Sequence, residues 1–116
     1  MNEKVLFIPL KKEFYDAFKD GSKTWELRGN YGQFNACKVT VGQKARLARG
    51  YGYPRLLATV IEVQDYADLD DIPSDIWNET VPPHLSGQRT TVDLASRYHL
   101  DGFTLMRMQI DKEIDS

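Results

Sequence analysis

Apolar positions recur along this chain with two periods, and each change of period marks a predicted element. Val5-Leu6-Phe7-Ile8 is an unbroken apolar run closed by Pro9, which predicts a short buried strand. Leu10, Phe14, Ala17 and Phe18 then follow at i, i+4, i+7 and i+8, with Lys11, Lys12, Asp16 and Lys19 on the other sides. That spacing predicts an amphipathic helix, with Gly21 suited to the left-handed position after its end. From Thr24 the period drops to two. Trp25 and Leu27 share one face, while Thr24, Glu26 and Arg28 share the other over roughly 14 Å at about 3.4 Å per residue.

Gly29–Asn35 is glycine-rich, polar and aromatic and reads as a loop, in which Tyr31 or Phe34 offers a ring for stacking. Lys44–Arg49 alternates as a third strand: Ala45, Leu47 and Arg49 on one face, Lys44, Arg46 and Ala48 on the other. Gly50-Tyr51-Gly52-Tyr53-Pro54 reads as a hairpin loop into Arg55–Val63, the longest strand candidate. A short helix is expected around Ser74–Glu79, its Ile76 and Trp77 covering one end of the fold, with Pro73 tolerated at the start. Thr90-Thr91-Val92-Asp93 resembles a capping box opening a further helix, with Val92, Ala95 and Tyr98 inward and Gly102 beyond its end. Phe103–Ile110 reads as the last strand, and 111–116 as a flexible charged tail. The expectation is an α+β domain: a small, mixed, mostly antiparallel β-barrel of five to six strands with two to three short helices.

Composition narrows the class. At 116 residues the chain is read as one domain, 1–116, without repeats or low-complexity stretches. No apolar run approaches the length of a membrane span, and the start lacks the pattern of a secretory signal, so a cytoplasmic protein is expected. Cys37 has no partner for an internal disulfide, and it is read as an incidental thiol. His84 and His99 stand apart with no Cys or Glu at ligand spacing, so neither a zinc site nor a cofactor is expected.

The net charge of −2 conceals a segregation. Between Arg28 and Ile61 there are six bases (Arg28, Lys38, Lys44, Arg46, Arg49, Arg55) and no acid; between Glu62 and Gln88 there are seven acids and no base. Either the two blocks pair across the fold, or the basic one meets a polyanion. Arg46, Arg49 and Arg55 interleave with Tyr51 and Tyr53, the combination that meets phosphates and stacks bases of a single strand.

Gly21-Ser22-Lys23-Thr24-Trp25-Glu26-Leu27-Arg28 concentrates the chemistry. It resembles the G-x-K-T-x-E-x-R signature of ASCH domains, which are related to the PUA RNA-binding fold. The likeness in element order runs from about Val5 to Ile110 and includes Val41-Gly42-Gln43, similar to that family's Val-Gly-Asp turn. The resemblance implies a PUA-like barrel with a cleft beside this strand, used by relatives to bind RNA, nucleotides or modified bases and, in some, to hydrolyse them. Bacterial acetylcytidine amidohydrolases pair a lysine with a threonine three residues on. Lys23 matches the lysine, but the third residue on is Glu26, and Glu79 is the nearest candidate for their second acid. A carboxylate cannot replace a hydroxyl nucleophile, which argues against that amide hydrolysis.

Three functional readings follow. In the first, the chain is an RNA- or nucleotide-binding module whose partner is single-stranded RNA, a nucleotide or a modified nucleoside. Lys23 and Arg28 would meet phosphate, Glu26 would accept from a base amino group, and Thr24, Arg46, Arg49, Tyr51, Tyr53 and Arg55 would complete the surface. In the second it is a hydrolase of RNA or a modified nucleoside, with Glu26 as general base and Lys23 stabilising developing charge. In the third, Glu26 and Arg28 are only an exposed structural pair of an interaction protein, worth about 0–1 kcal/mol.

Overall fold

The structure is a computed structural model, and it describes residues 4–30, 32–85 and 102–115. The expected helix after Thr90 and the ring of Tyr31 lie outside the described residues. Among the described residues five strands and two α-helices run in the order β1 (Leu6–Leu10), α1 (Lys12–Asp20), β2 (Trp25–Gly29), β3 (Lys44–Arg49), β4 (Arg55–Tyr66), α2 (Ser74–Asn78) and β5 (Phe103–Ile114). They form one sheet with the spatial order β1-β3-β4-β5-β2.

Directly paired residues point to the same side of a sheet, so the register sorts the side chains into rows. Leu6, Ala45, Ala58 and Ile110 form one row, and Ile8, Leu47, Leu56 and Glu113 another. Both rows face α1, whose Phe14, Tyr15, Ala17 and Phe18 are buried against them. The helix ends at Gly21, whose φ of +89° lets its N–H turn back onto the Ala17 carbonyl at 3.1 Å. A second, smaller cluster joins Trp25, Phe103 and Leu105 to Ile72, with Trp77 and Leu27 packing against both clusters. Trp25 and Leu27 thus bury the apolar face that their alternation predicted.

The sheet is mixed and mostly antiparallel, as expected: β1 pairs with β3 in parallel, while β3–β4, β4–β5 and β5–β2 are antiparallel. The segment 11–43, holding α1 and β2, is long enough to carry the chain back for a parallel pairing. Two expectations need correction. The ladder does not close into a barrel among the described residues, because β1 and β2 stand at opposite ends of the strand order. Last, 111–114 is not tail. β5 continues to Ile114 because the first turns of β4 need partners: Arg55 pairs with Ile114, Leu56 with Glu113 and Leu57 with Lys112. Glu113 then anchors α1, accepting from the Tyr15 hydroxyl at 2.6 Å and pairing with Lys19 at 2.9 Å.

No helix among the described residues is long and apolar enough to cross a membrane.

Candidate functional site at the seam between the end strands

Where β1 and β2 face each other without pairing, a pocket of about 140 Å³ opens. Pro9 and Leu10 of β1 form one side and Glu26, Leu27 and Arg28 of β2 the other. Lys11, Phe14, Lys23, Thr80 and Val81 complete the lining. Arg28 staples the seam, donating from Nη2 to the Pro9 carbonyl at 2.9 Å.

Its polar floor is a buried charge chain. Lys23 is 3 % exposed and Glu26 6 %. Lys23 Nζ donates to the carbonyls of Trp25 (2.5 Å) and Thr80 (2.6 Å) and sits 3.2 Å from Glu26 Oε1. The other carboxylate oxygen, Oε2, accepts from Arg28 Nε at 2.8 Å. Phe14 and Phe18 flank Lys23 Nζ at 5.5 and 4.9 Å from their ring centroids, and the Arg28 guanidinium lies 5.3 Å from that of Phe34.

Charge states follow from these contacts. Burial alone would push the Glu26 carboxyl up, but Arg28 and Lys23 together outweigh it and hold it below the usual glutamate range. Burial pushes the Lys23 ammonium down, against the pull of Glu26. Three acceptors converge on Nζ, and only the ammonium has three hydrogens to offer them, so Lys23 is charged at neutral pH. The chain Lys23⁺–Glu26⁻–Arg28⁺ therefore carries one net positive charge into the pocket.

The strand alternation places Glu26 and Arg28 side by side as expected. Lys23 precedes the strand, and its long stem brings Nζ to Glu26 from the turn. Thr24 does not line the pocket. Its hydroxyl donates to Glu79 Oε1 at 2.8 Å, while the N–H groups of Thr24 and Trp25 donate to the Glu79 carbonyl at 2.9 and 3.1 Å. Glu79 thus sews the end of α2 to β2 and is absent from the pocket lining. The Glu26–Arg28 pair, exposed in the third reading of the sequence, instead has a buried carboxylate and a half-buried guanidinium, and Lys23 joins it.

The hairpin residues do not join this pocket: none of Arg46, Arg49, Tyr51, Tyr53 and Arg55 lines it. Arg49 belongs to the core-side row opposite Leu10, and its charge acts on Tyr15 and Glu113. The others lie across the sheet, on rows facing away from α1 or in the hairpin loop. Local pattern could not have shown Pro9, Thr80 and Val81 in the lining, since they arrive from distant elements. Phe14 was legible only as a core residue.

No protein-family model matches the chain, and no curated protein does. Solved structures do. The hypothetical protein PH0355 superposes with a TM-score of 0.71 at 15 % identity, over 93 % of this chain and 100 % of its own. A serine-to-alanine mutant of ZmASCH from Zymomonas mobilis gives 0.68 at 18 %, over 97 % of this chain and 72 % of its own. Protein PF0455 from Pyrococcus furiosus gives 0.60 at 13 %, over 92 % and 97 %. What these likenesses share is a small α+β fold built on one mixed sheet. It is the fold of the ASCH domain.

Proposed function

We propose that the chain is an ASCH-type RNA- or nucleotide-binding module that seats one base, nucleoside or nucleotide in the seam pocket. The observation that carries this reading is the Lys23–Glu26–Arg28 chain, its Lys23 and Glu26 buried and its Arg28 half-buried, at the floor of a pocket with apolar walls from Leu10, Phe14, Leu27 and Val81. Sites for drug-sized ligands span about 300–1,000 Å³. A pocket of about 140 Å³ suits a single ring with its substituents, not a folded oligonucleotide. Lys23 spends its three hydrogens inside the protein, so Arg28 and Lys11 are the cations left to meet a phosphate. Each Glu26 oxygen keeps a second lone pair for a base amino group.

The same contacts speak against Glu26 as a general base. A carboxylate held down by two cations is a weak proton acceptor at neutral pH. Nor does a hydroxyl in the lining stand free as a nucleophile: Thr80 Oγ1 donates to the Ile76 carbonyl at 2.8 Å.

Calorimetric titration with nucleosides and nucleoside monophosphates at two salt concentrations tests the reading. Monophosphates are expected to bind in a salt-sensitive way, weakened at least tenfold in Arg28→Ala and several-fold in Arg28→Lys, which lacks the planar fork. Absence of binding, or an affinity unchanged in Arg28→Ala, overturns it. So does turnover of labelled RNA or acylated nucleosides that disappears in Glu26→Gln.

A further inference from the structure

The sheet has a second face of interest, on the side away from α1, where cations alternate with apolar side chains. Phe7 of β1, Arg46 of β3, Leu57 of β4 and Lys112 of β5 are paired in register and form one row across four strands, about 14 Å wide at about 4.8 Å per strand. The next row holds Pro9, Ala48, Arg55 and Ile114. At the hairpin end Tyr51, 80 % exposed, stacks on Phe7 with ring centroids 6.3 Å apart. The Arg55 guanidinium lies between two rings, 4.3 Å from the Tyr53 centroid and 5.1 Å from that of Phe7.

We infer that this sheet face is a platform for single-stranded RNA, physically distinct from the seam pocket, in which Tyr51 and Tyr53 stack bases, Phe7 backs Tyr51, and Arg46, Arg55 and Lys112 meet phosphates. Charge complementarity selects the occupant. None of the ion pairs among the described residues joins Arg46, Arg55 or Lys112 to a carboxylate. The acids on this face have other partners: Asp111, in the next row, accepts from Thr59 and Gln109, where Lys44 also donates to Thr59, and Glu62 lies 4.0 Å from Arg107. Cations without acid partners, set among exposed rings held in place by their neighbours, suit a flexible polyanion with stackable bases. A duplex hides its bases and offers the rings nothing to stack on. Four-stranded sheets with exposed rings stack two or three bases in this way.

Because none of the platform cations or tyrosines lines the pocket, the two surfaces fail or hold separately. A fluorescein-labelled ten-nucleotide oligouridine is titrated by anisotropy at several salt concentrations, with the RNA duplex of the same length as comparison. The expected result is tight binding of the single strand over the duplex. Arg46→Ala/Arg55→Ala should weaken it at least tenfold and reduce the slope of log affinity against log salt by about 1.4, at about 0.7 per cation removed. Tyr51→Ala, at an exposed loop position, should weaken it several-fold with the fold intact by circular dichroism. Arg28→Ala should leave it within twofold, and the Arg46/Arg55 variant should leave monophosphate binding in the pocket unchanged. Equal binding of duplex, equal displacement by polyglutamate, no effect of the Arg46/Arg55 variant, or parallel losses in Arg28→Ala would each overturn the inference.

Discussion

At the scale of single residues, the Lys23–Glu26–Arg28 chain is a structural commitment as well as a candidate site. Removing one member of a buried, hydrogen-bonded set strands the others, which costs about 3–5 kcal/mol. Glu26→Gln leaves a buried Lys23 and a half-buried Arg28 without their anion. Urea denaturation at pH 7 should therefore show a loss of about 3–5 kcal/mol. The pH dependence has a definite sign. Glu26 has a folded pKa below its ordinary value of 4.5, so its contribution is complete above that value and drains away as the pH falls through the lower folded one. The difference between wild type and Glu26→Gln should accordingly be largest near neutrality and shrink below about pH 4.5. A pH-independent difference would show that the carboxylate charge is not what matters.

At the scale of elements, much of the fold is legible from periodicity. The helical spacing of Phe14, Ala17 and Phe18 and the alternation of Ala45 and Leu47 both match what is buried, because burial of an apolar stripe is what selects these conformations. Glycine positions were legible in part. Gly21 does end α1 in the left-handed region. Gly102 also has positive φ, +85°, and its N-terminal approach to β5 is crowded: a Cβ there would stand 2.8 Å from the Tyr66 carbonyl oxygen. Gly102→Ala should cost about 1–3 kcal/mol, combining a strained φ with that contact. Gly52→Ala, with open space around it, is the control and should shift the thermal midpoint little. The burial of Lys23 was illegible at this scale, since its acceptors are backbone carbonyls of β2 and of the segment after α2. Any residue has a carbonyl, so no side-chain pattern announces it.

At the scale of the whole molecule, the charge segregation resolves in part. None of the ion pairs among the described residues joins Arg28, Lys44, Arg46, Arg49 or Arg55 to the acidic block 62–88. The acids gather along the end of β4 and around α2, while Arg46 and Arg55 lie on the open sheet face. On the opposite face, the end of β5 is tied to α1 through Glu113. Deleting 111–116 should therefore lower the melting temperature and reduce amide-exchange protection within Arg55–Leu57, at the N–H groups directed to β5, while Leu105 and Met106 deeper in the sheet stay protected. A truncation that changes neither would mean the segment is a tail after all.

Sequence by itself determined which residues form strands and helices, which faces they bury, and that Glu26 and Arg28 stand together, because these depend on neighbours within a few positions. Only the tertiary structure decided that β1 lies parallel to β3, that the sheet ends meet at a seam holding a pocket, and that the hairpin's cations and rings face away from it. Those outcomes depend on strand order and register, where a single pairing choice moves whole rows of side chains from one surface to another.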